Sequence, residues 1–170
     1  LMDESLKFSL VDAVFESASG WTTTGATVVS NIDNLNKPLL LYRQLLQWLG
    51  GIGIVVLVLA ILPILGVGGM YLYKAETSSP VKDNKLSPRI TETAKSLWGV
   101  YIVLTIACAV LYKIAGMSYF DAIGHSFSTV SIGGFSTHDA SIGFYSSDLI
   151  KIICMVSVSY THLRAHETRR

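Results

Sequence analysis

From Gln44 to Tyr73 the chain carries no charged residue, with Arg43 before the run and Lys74 after it. That is ample for a transmembrane helix, which needs roughly 20 apolar residues. Composition agrees: 51% of the 170 residues are hydrophobic and 15% charged, whereas an ordinary soluble domain is about 25% charged. A net charge of +1, without a basic run interleaved with aromatics, excludes nucleic acid as a partner. Cys108 and Cys154 lie in apolar runs without metal-ligand or CxxC spacing and read as small buried hydrophobes. Gly50-Gly51-Ile52-Gly53 is no nucleotide loop, because no Lys-Ser/Thr follows it and no acidic residue closes a βαβ unit. Those glycines suit close approach of another backbone, and Pro63 marks a kink or the inner end.

A second spanning segment is expected over Ser96 to Gly116, with Lys113 snorkelling at its outer end and Trp98 and Tyr101 at the inner interface. Arg43 is expected to snorkel likewise from the first. A third apolar run starts at Leu149 and halts near Val158, about half a crossing. Residues 74–95 hold Lys74, Lys82, Lys85, Arg89 and Lys95 against Glu76, Asp83 and Glu92, broken by Pro80 and Pro88. This excess of cations places 74–95 as a cytoplasmic loop. The chain opens on Leu1 without signal architecture and reads as a piece beginning inside a longer protein.

The chain also repeats itself. An offset of 109 residues sets Asp12 on Asp121, Ala13 on Ala122, Ser17 on Ser126, Ser19 on Ser128 and Gly25 on Gly134 without a gap. Such self-similarity signals a duplicated unit. In the first copy, Ser5 is expected to cap a helix over Leu6 to Gly20. At about 1.5 Å per residue it reaches roughly 22 Å, short of the roughly 30 Å hydrocarbon layer. In the second, Tyr119 to Val130 is likewise too short. Each half-length helix runs into a hydroxyl and glycine turn, Thr22 to Thr27 or Ser131 to Ser136, and then a polar loop. By the charge balance both turns lie outside.

Non-helical backbone at membrane depth survives only where protein or a water-filled path satisfies it. Backbone carbonyls, aided by Ser and Thr hydroxyls, can replace the hydration shell of a monovalent cation, and a helix C-terminus aimed at the turn favours positive charge. The residues therefore point to a cation filter. Asp12 and Asp121 read as caps or structural acceptors before ion ligands. Glu16 aligns with His125, so charge is not required there. His138 and Asp139 read as a solvated loop pair. His162 and His166, at i, i+4 in the polar stretch 159–170, have no carboxylate shell and read as solvated. Two other classes compete: a membrane scaffold or assembly subunit that binds no ion, and a membrane-embedded hydrolase, which requires Ser131, His125 and Asp121 to converge.

The motifs Ser17-Ala18-Ser19-Gly20-Trp21-Thr22-Thr23-Thr24-Gly25-Ala26-Thr27, Gln47-Trp48-Leu49-Gly50-Gly51-Ile52-Gly53, Lys74-Ala75-Glu76-Thr77, Pro88-Arg89-Ile90-Thr91-Glu92-Thr93-Ala94 and Phe127 to Thr137 resemble the Trk/Ktr superfamily of potassium uptake transporters, specifically its TrkH-like membrane subunits. The resemblance covers about residues 5 to 157. It implies an all-α membrane protein of helix/pore-loop/helix repeats, of which this chain holds about two of four units. Residues 1–73 would be pore helix, filter loop and second helix of one repeat. Residues 96–158 would be first helix, pore helix, filter loop and truncated second helix of the next, and 159–170 an aberrant or truncated polar tail where the family carries a gating loop. Gly25 and Gly134 would be the filter glycines, with carbonyls of Thr23, Thr24, Ile132 and Gly133 facing K+ and Ala26 and Phe135 at the outer mouth. The resemblance further implies K+ as cargo with no organic cofactor and no enzyme activity. It also implies a homodimer in a bacterial inner membrane and a cytoplasmic nucleotide-binding regulatory subunit of the TrkA type.

Overall fold

The computed structural model describes residues 9–61 and 86–167. Among the described residues five α-helices follow one another: α1 (Leu10–Trp21), α2 (Lys37–Ile61), α3 (Leu86–Ile114), α4 (Tyr119–Val130) and α5 (Asp148–Glu167). Short 3-10 turns, Ile32–Asn34 and Ser141–Phe144, lie in the loops after α1 and α4. The described residues thus form an all-helical fold in which two half-length helices pack on the long ones, α1 against α2 and α4 against both α2 and α3.

Both half-length helices begin alike. Ser9 accepts from the Asp12 N–H while Asp12 accepts from the Ser9 N–H, a reciprocal capping box. At α4, the Ser118 hydroxyl accepts from the Asp121 N–H. Asp12 and Asp121 are therefore first-turn structural acceptors, complementing the positive end of each helix. The first helix starts at Leu10 behind Ser9, not at Leu6 behind Ser5, which lies outside the described residues. Several apolar residues of α1 face outward, with Leu10, Val11 and Val14 exposed.

The long helices depart from expectation at their ends. α3 begins at Leu86, so the last part of the supposed 74–95 loop is helical; Pro88 sits in the first turn, where a missing N–H costs nothing. Within α3, Ala94–Ile114 is long and apolar enough to cross a membrane, the one such helix among the described residues. The apolar run halts near Val158, but the helix does not: α5 runs on to Glu167 through the polar stretch. Pro63 and the inner half of the 44–73 segment lie outside the described residues.

The core sits between α3, α4 and α5, where Cys108, Tyr112, Met117, Ala122, Val130 and Ile150 are buried together. Tyr112 also bonds Thr129 through its hydroxyl at 2.9 Å, tying α3 to the end of α4. Tyr101 donates to the Trp48 carbonyl at 2.9 Å, while the Trp48 indole N–H donates to Thr105. Lys113 does reach past its helix end, donating to the Met117 carbonyl and lying over the Tyr119 ring.

Candidate functional site

The two turns predicted from the repeat carry the same backbone. In the first, Thr22 N–H donates to Ala18, Thr23 to Gly20 and Thr24 to Ser19; in the second, Ser131 donates to Phe127, Ile132 to Thr129 and Gly133 to Ser128. The crossed pair of bonds closing each helix is a Schellman motif, which needs a left-handed residue just past the helix. Glycine is usual there. Here the residues are Thr23, with φ 54°, and Ile132, with φ 56°. A β-branched residue in this conformation is strained by roughly 1–2 kcal/mol. Two residues on, Gly25 and Gly134 are left-handed again, with φ 76° and 84°. Equivalent positions thus alternate in the sign of φ across both turns, which accounts for glycine at the second position of each pair.

The turns also meet. A Cβ on Gly25 would collide with the Gly133 carbonyl oxygen and lie 3.5 Å from the Gly134 Cα. Hence Gly25 is demanded twice, by its conformation and by its neighbour. Gly134 has no atom within 4 Å of such a Cβ, and conformation alone explains it. Both turns therefore lie side by side.

Helix α2 seats both half-length helices. A Cβ on Gly50 would strike the Trp21 carbonyl, and one on Gly51 would come 2.9 Å from the Ser131 Cβ and from the Tyr101 hydroxyl. Adjacent glycines thus receive the last residue of α1 and the cap of α4. Gly53, read with them, faces open space.

Side chains beneath the turns follow the repeat in place but not in chemistry. Glu16 Oε1 accepts from the Thr27 hydroxyl at 2.8 Å, and Oε2 from the Val28 N–H at 3.2 Å. At the equivalent positions, His125 Nε2 lies 3.0 Å from the Ser136 hydroxyl. His125 Nδ1 must donate to the Asp121 carbonyl, leaving Nε2 to accept from Ser136. Burial lowers the His125 pKa, in keeping with that neutral form. Position 16/125 therefore holds the hydroxyl at the outer end of its own turn in both units, a shared role the alignment did not reveal.

Arg43 does not snorkel. It is 3% exposed and paired with Glu16, donating from Nε at 2.9 Å and Nη2 at 2.6 Å. Nη2 also donates to the Thr27 hydroxyl, and the guanidinium lies 4.3 Å from the centre of the Phe135 ring in the other turn. Gln44 and Gln47, both fully buried, bond the second turn's backbone. The Gly133 carbonyl, expected to face an ion, gives one lone pair to Gln47. Sequence reasoning missed all three, although a signal existed: they are polar side chains at i, i+1 and i+4 where the chain turns apolar.

His138 and Asp139 are not a solvated pair. His138 Nδ1 lies 2.6 Å from Asp33 Oδ1, and its ring stacks on Phe144 at 3.7 Å. Asp139 accepts from the Ile32 and Asp33 N–H groups. Together they clasp the loop of one unit to that of the other. The hydrogen bond from His138 holds the Asp33 pKa below its ordinary value. The hydrolase arrangement is not formed: the Asp121 carboxylate bonds Ser118 and Thr137, the Ser131 hydroxyl donates to Ser128, and His125 pairs with Ser136. Cys108 and Cys154 are free thiols, and no cluster of three or more metal-ligating side chains occurs among the described residues.

Two half-length helices ending in matched, touching loops on a shared long helix define a fragment of an all-α membrane protein. Residues 1–159 match the family model TrkH, described as a cation transport protein. The chain belongs to that family. It is 66% identical over 146 residues to the Trk system potassium uptake protein TrkH of Halomonas elongata, covering 86% of this chain and 30% of the relative. Against TrkH of Escherichia coli K12 it is 59% identical over 156 residues, 92% of this chain and 32% of the relative. The crystal structure of the potassium transporter TrkH from Vibrio parahaemolyticus superposes with a TM-score of 0.74 at 55% identity, covering 88% of this chain and 29% of that one. The chain therefore spans about a third of the length of the relatives it matches.

Proposed function

We propose that this chain supplies two of the four loops of a potassium pathway, passing K+ across a bacterial inner membrane through a filter of backbone carbonyls. The observation that carries this reading is the contact of Gly25 with the Gly133 carbonyl between two turns of identical φ pattern. Oxygens of Thr23, Thr24 and Ile132 are the ligands assigned to the dehydrated ion, while the Gly133 oxygen is held between Gln47 and Gly25 and sets the spacing of the two turns. The C-terminal ends of α1 and α4 add their partial negative charge at the same place. Relatives named as potassium uptake proteins support K+ as cargo. The remaining two loops belong to the rest of the complete protein. Dimerisation and docking of a nucleotide-binding regulator of the TrkA type on the 74–95 side complete the proposal.

Substituting the paired glycines in the complete transporter tests it. Gly25→Ala meets both a positive φ and the Gly133 oxygen, whereas Gly134→Ala meets the positive φ alone. The expected result is loss of K+ uptake for Gly25→Ala and a reduced K+ over Na+ preference for Gly134→Ala, read by ion flux into proteoliposomes. Unchanged flux and preference in both would favour a scaffold that binds no ion.

A further inference from the structure

Gln44 and Gln47 lie on α2, in the first unit, yet their side chains bond the backbone of the second unit's turn. Gln47 donates from Nε2 to the Gly133 carbonyl at 2.8 Å and accepts at Oε1 from the Phe135 N–H at 3.0 Å. Gln44 donates to the Phe135 carbonyl at 3.1 Å. A primary amide carries the donor and acceptor of a peptide group, so Gln47 pairs with the turn as a neighbouring strand would. Its two bonds straddle Gly134, whose φ of 84° they hold from both sides.

The fit leaves no slack. A Cβ on Gly133 would collide with the Gln47 amide, and both glutamines are 0% exposed. The Gly133 oxygen held by Gln47 is also the atom against which Gly25 rests. A continuous line of contact thus runs from Gln47 through Gly133 to Gly25, from the long helix through one turn to the other.

We infer that Gln44 and Gln47 are positioning residues for ion selection: they fix the separation of the two turns, and through it the size of the cavity offered to the ion. This inference rests on the filter reading above. A buried amide contributes packing as well as hydrogen bonds, so the informative variants keep the bulk. Gln47→Met keeps the length without either bond. Gln47→Glu, when ionised, keeps the acceptor but loses the donor to Gly133. Gln44→Met removes the single bond to Phe135.

In the complete transporter, reconstituted and checked for folding by its size-exclusion profile, the K+ to Na+ flux ratio is the readout. The expected result is a fall of about tenfold for either Gln47 variant, the factor that one hydrogen bond of about 1.4 kcal/mol carries, and a smaller fall for Gln44→Met. A parental ratio in folded Gln47→Met or Gln44→Met overturns the inference, as does one in folded Gln47→Glu that stays parental up to a pH at which the buried carboxyl is ionised. Should neither Gln47 variant fold, Gln44→Met decides in the same way. Gly134→Ala is measured alongside: if it lowers the ratio while the glutamine variants do not, the filter stands and the positioning role falls. If none of them moves the ratio, the filter reading itself fails.

Discussion

The turn after α1 and the turn after α4 have the same bonds closing their helices and the same left-handed positions, but their supports differ. Under the first lies an ion pair, Glu16 with Arg43, that gathers Thr27 and Val28. Under the second lie a neutral imidazole and two amides, His125, Gln44 and Gln47. The difference teaches that the duplicated unit preserves a backbone shape and a set of anchoring points, not the residues that do the anchoring. The carboxylate in the first copy is neutralised by Arg43 on α2. Ile152 occupies the corresponding place 109 residues on, so a carboxylate at position 125 would have no such cation.

Stripping the charged support should have the largest effect. Arg43→Met leaves Glu16 buried without its cation and is expected to destabilise the complete protein by roughly 3–5 kcal/mol, measured by thermal unfolding in detergent. Adding Glu16→Gln should recover part of that loss, since the amide still accepts from Thr27 without an unpaired charge. The neutral support should yield less. His125→Ala removes the acceptor for Ser136 and is expected to cost about 1–3 kcal/mol by the same measurement. A loss as large as that of Arg43→Met would mean that both turns depend equally on their side chains.

Smaller still is the effect expected at the strained position. Ile132→Gly places at the left-handed site the residue such a helix ending normally uses. It should raise stability by up to about 1 kcal/mol while lowering K+ over Na+ preference, because the turn gains freedom. A fall in both would show that the Ile132 side chain, not its backbone, is what matters. Last comes the clasp between the outer loops. Asp33 has a lowered pKa through its bond with His138. Its contribution is therefore present above the ordinary carboxylate range and is lost as pH falls through the lowered value. Thermal scans should show a shallow acid-side loss that disappears in Asp33→Asn.

What the sequence disclosed was local or periodic. The half-length of α1 and α4, the two turns and their glycines follow from helix spacing, β-branched runs and the repeat. Residues 119–130 form a helix with the expected bounds because Ser118 caps it and the backbone of Ser131 to Gly133 closes it, with one further bond from the Ser131 hydroxyl to the Ser128 carbonyl. The side-chain supports were not legible, since they depend on which helix lies against which turn. Arg43 at the edge of an uncharged segment looks like a residue reaching for water until Glu16, 27 positions earlier, is placed beside it. His138 looks like a loop residue until Asp33, 105 positions earlier, is brought to it. Helix ends were misjudged for a simpler reason: composition marks where a bilayer must end, whereas a helix continues as long as its backbone bonds do, as α3 and α5 show.

The ordering of those supports along the chain has a consequence for biogenesis. Glu16 and Arg43 can find each other as soon as α2 is synthesised, but Gln44 and Gln47 bond residues 86 to 91 positions further on. Until those emerge from the ribosome, two side-chain amides on a membrane helix wait without the partners they will finally have, at a cost of roughly 1–3 kcal/mol each. The support of the first turn is therefore complete in the chain well before the turn that Gln44 and Gln47 hold has been made.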